Sequence, residues 1–267
     1  MNQLRTSLVR RILNRAINPY RLNDSRLYAL YLALRYPMHS RAKKLEFIFY
    51  SELMRGDVNG MVFDIGANCG QKAAQFARIS RLVICVEPDQ AAANQLKARF
   101  EKCSTVRIIN AGVGAHPGRE IFYQSSPANP LNTFSRKWAE SQQAKASEYE
   151  VSIITLDEMI EKYGMPKYIK IDVEGYELEV IKGLHRPIQS LSFECNLEKF
   201  RCESLECIAY LAALQPGLFN YCVSEPPNKF AAKEWLRADE ITKVVSSAKT
   251  DYIEVYFKSA TNQSASD

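Results

Sequence analysis

Histidine is scarce in this sequence, and no metal-binding pattern is present. Only three histidines occur in 267 residues, without an H-E-x-x-H motif, and the seven cysteines form no C-x-x-C pair. Zinc sites are assembled from closely spaced cysteine and histidine ligands, so we expect no metal site of this kind. An odd number of scattered cysteines indicates reduced thiols, which are typical of a cytoplasmic protein.

The sequence also has no long apolar run. No stretch reaches the length of about eighteen residues that a membrane-spanning helix needs, so we predict none. The hydrophobic fraction is 46% and the charged fraction is 24%, which supports one sizeable core with a small appendage. We predict a basic helical extension over residues 1–56, an α/β domain over residues 57–258 and a disordered tail over residues 259–267.

Positive charge is concentrated at the start of the chain. Residues 1–56 contain eleven Lys and Arg against three Asp and Glu, a net charge of +8. The remainder contains 24 against 27, a net charge of −3. The larger part of the chain is therefore not basic, which argues against a nucleic-acid partner for it.

Residues 1–17 have the pattern of an amphipathic helix. One face carries apolar residues and four arginines border it; the apolar residues are Leu4, Leu8, Ile12 and Ala16. Two interpretations stay open. The helix docks on an anionic membrane surface or an acidic partner, or it packs on its own domain or a second copy of the chain. A further helix is predicted over about residues 24–36.

The most informative stretch is an apolar strand, Met61–Phe63, that ends at Asp64 and turns into a helix. The turn contains Gly66 and Gly70, and the helix is predicted over residues 71–78. Glycine permits positive φ and close approach of a ligand to the backbone. A helix start offers free N–H groups and a positive dipole end to an anion. Strand, glycine turn and helix are typical of a nucleotide-binding βα unit.

A second strand, Leu82–Val86, ends at Glu87, which is placed to accept both ribose hydroxyls of an adenosine. The dinucleotide fingerprint G-x-G-x-x-G is not met, because Asn68 occupies the central glycine position. An acidic residue followed by Gly66 and Gly70 instead favours S-adenosylmethionine, whose α-carboxylate suits the helix N-terminus. The alternative is an ordinary turn without a cofactor.

Three later strand ends carry polar residues at the same predicted edge of the sheet. Asn110 follows the third strand and is placed to bond the edge of an adenine; the alternative is a plain glycine turn. Asp172 and Glu174 follow the strand near residues 168–171, and Glu194 ends the next strand. Buried strand-end carboxylates are costly unless they are used or paired. Asp172 is our first choice as catalytic base, before Glu174 and Glu194; the alternative for Glu174 is a cap on the following helix.

Other elements have local sequence signals. Thr155 and Glu158 form a capping box at the start of a helix. A long polar segment separates strands predicted near residues 118–123 and 149–154, and we interpret it as a lid, the alternative being a disordered insertion. A helix is predicted over residues 40–54, and its apolar face would comprise Leu45, Ile48, Phe49 and Leu53.

Together, these motifs resemble the FkbM family of S-adenosylmethionine-dependent methyltransferases. The matching pieces follow the family order: Val62–Gly70, Val86–Pro88, Asn110–Gly114, Thr155–Asp157, Ile169–Glu177 and Phe193–Glu194. The resemblance implies a Rossmann-like, doubly wound and mostly parallel seven-stranded α/β sheet with helices on both faces. It also implies cofactor contacts from six residues: Asp64, Gly66, Asn68, Gly70, Glu87 and Asn110.

The same resemblance implies O-methylation of a hydroxyl on a sugar, glycan or natural product, with residues 57–258 as the methyltransferase domain. A positioned base would speed the reaction by about 10²–10⁴. A divalent ion held by Asp172 and a second carboxylate is an alternative to that base, but no metal is predicted. Two rival functions stay open: an RNA methyltransferase steered by the N-terminal arginines, and a scaffold that binds the cofactor without turnover.

Overall fold

The computed structural model describes residues 37–54, 60–142 and 146–260. The helices predicted over residues 1–17 and 24–36, and most of the predicted tail, lie outside these ranges. The described helices are α1 (Pro37–Leu53), α2 (Ala73–Phe76), α3 (Gln90–Phe100), α4 (Arg136–Ser141), α5 (Leu156–Tyr163), α6 (Glu177–Lys182), α7 (Arg201–Leu214) and α8 (Ala238–Ser247). None of these described helices has both the length and the apolar character that crossing a membrane requires.

The described strands are β1 (Met61–Ile65), β2 (Leu82–Val86), β3 (Val106–Ile109), β4 (Gly112–Val113), β5 (Gly118–Gln124), β6 (Ser147–Ile154), β7 (Tyr168–Ile171), β8 (Ser190–Asn196), β9 (Gly217–Cys222) and β10 (Tyr252–Ser259). Seven of them form one sheet in the order β3-β2-β1-β7-β8-β10-β9. Its first five strands pair in parallel, and β10 runs antiparallel to both neighbours. The predicted seven-stranded, mostly parallel sheet is therefore confirmed. Because chain order reverses between β1 and β7, a crevice opens at their carboxyl ends.

Alternate residues of the central strands face two separate cores. Met61, Phe63 and Ile65 of β1 pack on one side with residues of α5, α6, α7 and α8. Val62 packs on the other side with residues of α1, α2 and α3. Successive side chains of a strand point to opposite faces, so one buried strand contributes to both cores. Helices thus cover both faces of the sheet, as predicted.

The buried face of α1 differs from the prediction. Phe49 is buried as expected, but Leu45 and Ile48 are 37% and 41% exposed, and Tyr50 is fully buried in their place. Tyr50 packs edge-on against Phe76, with 4.9 Å between ring centroids. An aromatic partner on α2 therefore helps to select the buried face of α1, and helical periodicity alone does not specify it.

A second sheet lies beside the crevice, with strand order β4-β6-β5. β5 and β6, the two strands predicted near residues 118–123 and 149–154, pair antiparallel, and β4 joins β6 in parallel. Four buried residues form a small core on it: Phe122, Phe134, Val151 and Ile153. This sheet positions an apolar wall next to the strand ends.

Candidate active site

The carboxyl ends of the central strands border a cavity of about 460 Å³. Asn68 and Glu87 line it near β1 and β2, Asp172 and Glu174 line it after β7, and Glu194 lines it from β8. Two strands separate β2 from β8, so these groups are spread over about 14 Å at a strand spacing of about 4.8 Å. The structure therefore brings the predicted cofactor and catalytic residues of these strands to one crevice.

The turn after β1 is left-handed at three positions. The φ angles are 80° at Gly66, 47° at Asn68 and 77° at Gly70. The N–H of Gly66 donates to the carbonyl of Val86 at 3.0 Å, which ties the turn to β2. A side chain at position 66 would place its Cβ 1.8 Å from the carbonyl oxygen of Asp172, so only glycine fits between the two strand ends.

Gly70 has a packing role that the motif does not indicate. A Cβ at this position would lie 2.6 Å from side-chain atoms of Leu96 and Phe100 on α3. Gly70 is not among the described residues that line the cavity, and its cofactor contact stays a prediction. α2, which follows, is shorter than the helix predicted over residues 71–78, because turns flank it on both sides.

Glu87 is held at the cavity by backbone hydrogen bonds and is 5% exposed. Its Oε2 accepts the N–H of Asn68 at 2.7 Å, and its Oε1 accepts the N–H of Asp89 at 2.8 Å. Burial raises the pKa of Glu87 to about 7, and the two N–H groups offset part of that rise. The carboxylate is thus fixed in orientation beside the turn where a cofactor is predicted.

Asp64 is buried in β1, immediately before the turn. Its Oδ2 has no hydrogen-bond partner among the described residues. Burial raises the pKa of Asp64 from its ordinary value of 3.8 to about 7, although the Lys170 ammonium lowers it. An unpartnered buried carboxylate oxygen is costly, and an N–H or ammonium group of a ligand would satisfy it.

Asn110 is turned toward the backbone that follows β2. Its side-chain amide donates to the carbonyls of Glu87 at 2.8 Å and Pro88 at 3.1 Å. It is not among the described residues that line the cavity, so its contact with an adenine stays a prediction. Ala111 and Phe122 do line the cavity, and they provide apolar surface suited to a flat ring.

A fully buried lysine organises the carboxylates of β7 and β8. Lys170 Nζ lies 3.3 Å from Asp172 Oδ2 and 3.4 Å from Glu194 Oε1. Glu254 of β10 completes the cluster, with its Oε1 also 3.4 Å from the ammonium. Burial lowers the pKa of Lys170, but the three carboxylates together raise it well above its usual range. Burial also raises the pKa of Glu194, and the charge of Asp172 adds to the rise.

Glu174 stands apart from this cluster. Its φ of 55° is a strained conformation for a residue with a side chain. Its carboxylate has no hydrogen bond or ion pair among the described residues, while its carbonyl accepts a hydrogen bond from Thr133 Oγ1 at 2.8 Å. Burial raises the pKa of Glu174 from 4.5 to about 8, and the charge of Asp172 adds to the rise. A strained carboxylate without a partner at a cavity wall is a candidate for catalysis.

The N-cap of α6 is Tyr176, without a side-chain hydrogen bond, so Glu174 does not cap this helix; the turn before it is bound by Glu177, the first residue of α6. Its Oε1 accepts the N–H groups of Val173 at 3.2 Å and Gly175 at 3.3 Å. Burial raises the pKa of Glu177 to about 7. The turn from β7 into α6 is therefore shaped by Glu177, which leaves the Glu174 carboxylate for the cavity.

Asp89 anchors the loop that follows β5. Its Oδ1 caps α3 by accepting two backbone N–H groups. Its Oδ2 accepts three hydrogen bonds at 2.7–2.9 Å, from Gln124 Nε2, Ala128 N and Asn132 Nδ2. Residues 125–134 are thus a hydrogen-bonded wall of the cavity, and their opening as a lid stays a prediction.

Four charged residues of the site have no role in the sequence-based predictions: Lys170, Glu177, Glu225 and Glu254. Lys170 stands inside a matched motif, but a lone lysine in a buried strand does not indicate its partners. Among the described residues, no group of three or more His, Cys, Asp or Glu is arranged to hold a metal ion. The seven cysteines are free thiols.

Comparison with known proteins identifies a family match. The family model described as "Methyltransferase FkbM domain" matches residues 64–212, more than half of the chain. A curated relative, the hexuronic acid methyltransferase AglP of Haloferax volcanii, is 28% identical over 146 residues. This alignment covers 53% of this chain and 56% of the relative, so the chain spans about half the length of the protein it matches.

The similarity to solved structures is weaker. The methyltransferase FkbM of Methylobacillus flagellatus has a TM-score of 0.47 and 18% identity, over 75% of this chain and 44% of that one. The precorrin-6y C5,15-methyltransferase of Geobacter metallireducens has a TM-score of 0.44 and 9% identity, over 79% of this chain and 86% of that one.

Proposed function

The chain belongs to the FkbM methyltransferase family, and we propose that it transfers a methyl group from S-adenosylmethionine to a hydroxyl of a sugar or glycan. The observation that carries this proposal is the meeting of Glu87 with Asp172, Glu174 and Glu194 along one cavity. Glu87 suits a nucleoside, and the other three carboxylates offer a base for a hydroxyl acceptor. The relative named as a hexuronic acid methyltransferase supports a sugar as the acceptor.

The residues of the cavity fit S-adenosylmethionine. Glu87 would accept the ribose hydroxyls, and Ala111 and Phe122 would contact the adenine. Asp64 is not among the described residues that line the cavity, so a hydrogen bond from the cofactor's ammonium group to its unsatisfied Oδ2 is a proposal that rests on the motif. When bound, the cofactor supplies a methyl group on a sulfonium, and the carbon–sulfur bond breaks as the acceptor oxygen attacks.

Glu174 is the carboxylate best suited to take the proton of the acceptor hydroxyl. Lys170 holds Asp172 and Glu194 as ion-pair partners, so its ammonium already occupies an oxygen of each carboxylate. Glu174 has no such partner among the described residues, and burial raises its pKa to about 8. A base is most effective when its pKa lies near the working pH. We therefore propose Glu174 as the base, ahead of Asp172, and assign Asp172 the orientation of the acceptor.

The two rival functions make different demands on the cavity. An RNA acceptor would bring phosphates to a site lined by carboxylates, which is unfavourable. A scaffold that only binds the cofactor has no use for a strained carboxylate beside the acceptor space. Both considerations favour the sugar methyltransferase.

Transfer of a labelled methyl group from S-adenosylmethionine tests the proposal. The acceptors are hydroxylated glycans, lipid-linked sugars and RNA, each incubated with the full chain. We expect label in a methyl ether of a glycan, with an equal amount of S-adenosylhomocysteine released. Label in RNA would support the first rival. Binding of S-adenosylhomocysteine in calorimetry, with label in no acceptor, would support the scaffold.

A further inference from the structure

The wall of the cavity beyond β1 is strongly acidic. Four carboxylates line it: Asp172, Glu174, Glu194 and Glu225. The single cation among the described lining residues is Lys72, which belongs to the turn before α2. Its ammonium is bonded to Glu46, a buried carboxylate of α1. Lys72 is therefore already paired with a carboxylate of α1.

Lys170 does not neutralise this wall. Its ammonium is fully buried and is shared by three carboxylates, one of which, Glu254, lies outside the cavity lining. Glu174 and Glu225 have no ion pair among the described residues. Burial is the main cause of the raised pKa of Glu174, and the charge of Glu225 contributes to it. Both side chains line the same cavity.

When Glu174 is ionised, as its role as base requires, an acceptor that enters this part of the cavity meets an excess of negative charge. The sulfonium of the bound cofactor offsets only part of it. A neutral sugar can donate hydrogen bonds from its hydroxyls to these carboxylates. An amino sugar can in addition form a charge-assisted hydrogen bond through its ammonium group. A carboxylate on the sugar would be placed against like charges in a partly buried site, which is a strong basis for rejection.

We propose that the acceptor subsite selects sugars by charge, accepting neutral and amino sugars and rejecting sugars that carry a carboxylate. This inference rests on the proposed sugar methyltransferase function and names its substrate class. It also separates this chain from the relative named for hexuronic acid. Glu225 is the specificity-determining residue at the exposed side of the wall, and Glu174 is its half-buried counterpart.

Matched aryl glycosides test the inference. For the gluco, galacto and manno series, each set contains the hexoside, the 2-amino-2-deoxyhexoside and the hexuronide. The full chain is assayed with labelled S-adenosylmethionine, and kcat/KM is compared within each series. We expect the hexuronide to react at least about tenfold more slowly than the hexoside, and the amino sugar to react at least as fast as the hexoside.

The second part of the test reverses the charge of Glu225. Glu225→Lys should raise the ratio of hexuronide to hexoside turnover by about three- to tenfold, and Glu225→Gln should raise it less. Added salt should bring the wild-type kcat/KM values for hexuronide and hexoside closer together, because salt screens the charge of the exposed Glu225. The control is Glu161→Lys, which makes the same charge change at an exposed position on α5 outside the cavity.

The outcomes distinguish the two levels of the proposal. Hexuronides that react as fast as hexosides, or a ratio that Glu225→Lys and Glu161→Lys change equally, would overturn charge selection and leave the methyltransferase function standing. Methyl transfer to no sugar of any series, with S-adenosylhomocysteine still bound in calorimetry, would overturn the proposed function and this inference with it.

Discussion

Asp172 and Glu174 are two residues apart, yet their surroundings give them different chemistry. Asp172 lies 3.3 Å from the buried ammonium of Lys170. Glu174 has a φ of 55° and no partner for its carboxylate among the described residues. An ion pair stabilises the charged form of a carboxylate, whereas burial without a partner favours the neutral form. At the residue scale, function therefore follows from the partner of each carboxylate, not from its type.

The pH dependence of turnover tests this distinction. Burial raises the pKa of Glu174 to about 8, so the free base becomes more abundant as pH rises toward that value. We expect kcat to increase with pH up to about 8 and Glu174→Gln to lower kcat by about a hundredfold or more. The remaining kcat of Glu174→Gln should not increase with pH in this way.

Asp172→Asn provides the comparison for Glu174→Gln. If Asp172 orients the acceptor, its variant should raise the acceptor KM and retain the rise of kcat with pH. Loss of that rise in Asp172→Asn, together with its retention in Glu174→Gln, would return the role of base to Asp172. Binding of S-adenosylhomocysteine to both variants serves as the check on folding.

Glu87 gives a second prediction at this scale. Removal of its carboxylate in Glu87→Ala should weaken S-adenosylhomocysteine binding by about 1–3 kcal/mol, because the ribose hydroxyls lose a charged acceptor. Burial raises the pKa of Glu87 to about 7, so wild-type binding should tighten as pH rises from about 6 to about 8. Calorimetry across this range measures both effects. Equal affinity of Glu87→Ala and wild type would remove Glu87 from the cofactor site.

At the scale of elements, some features of the structure follow from residues that are neighbours in the sequence, and others follow from packing between distant segments. The capping box at the start of α5 is confirmed, since Thr155 and Glu158 exchange hydrogen bonds. Its residues are neighbours in the chain, so the sequence is sufficient to predict it. The loop after β5 depends instead on Asp89, a residue far from it in the chain. This loop is therefore anchored by contacts between segments that are distant in the sequence.

Asp89→Asn tests the anchoring of this loop. An amide cannot accept both at Oδ1 and at Oδ2, so the loop or the cap of α3 loses its acceptor. We expect faster amide hydrogen exchange over residues 124–134, by about tenfold or more, and a severalfold higher acceptor KM. Asn94→Ala, an exposed change on the same helix, should alter neither. Unchanged exchange in Asp89→Asn would show that the loop is held by other contacts.

At the scale of the whole molecule, buried carboxylates link stability to pH. Burial raises the pKa of Asp64, Glu87 and Glu177 to about 7, and that of Glu174 to about 8. A carboxyl group with a raised folded-state pKa holds its proton when the unfolded chain has released it. Its contribution to stability is fully present below the unfolded value and is lost as pH rises through the folded value.

We therefore expect the free energy of unfolding to fall as pH rises from about 5 to about 8. Glu174→Gln should reduce this slope by up to about 1.4 kcal/mol per pH unit, because it removes one linked proton. Denaturant titrations at several pH values measure the slope, and the exposed Glu161→Gln is the matched control. Equal slopes for wild type and Glu174→Gln would show that Glu174 is ionised at neutral pH in the folded protein.

The sequence by itself determined the sheet, its glycine turn and the strand-end residues of the crevice. Strand, turn and cap signals depend on backbone conformation and on residues a few positions apart. The strand-end rule then places Glu87, Asp172 and Glu194 at one edge without any knowledge of their neighbours. For this reason the fold and the region of the site could be predicted.

Only the tertiary structure decided which partners each of these side chains meets. Lys170 meets Glu194 and Glu254 because β7, β8 and β10 are neighbours in the sheet, and no local pattern connects the three residues. The buried face of α1 was chosen in the same way, by aromatic partners such as Phe76. Burial and charge pairing depend on contacts between distant segments, and they set the pKa of each carboxylate. The proposed roles of Glu174 as base and Glu225 as charge filter, and the anchoring by Asp89, therefore required the folded chain.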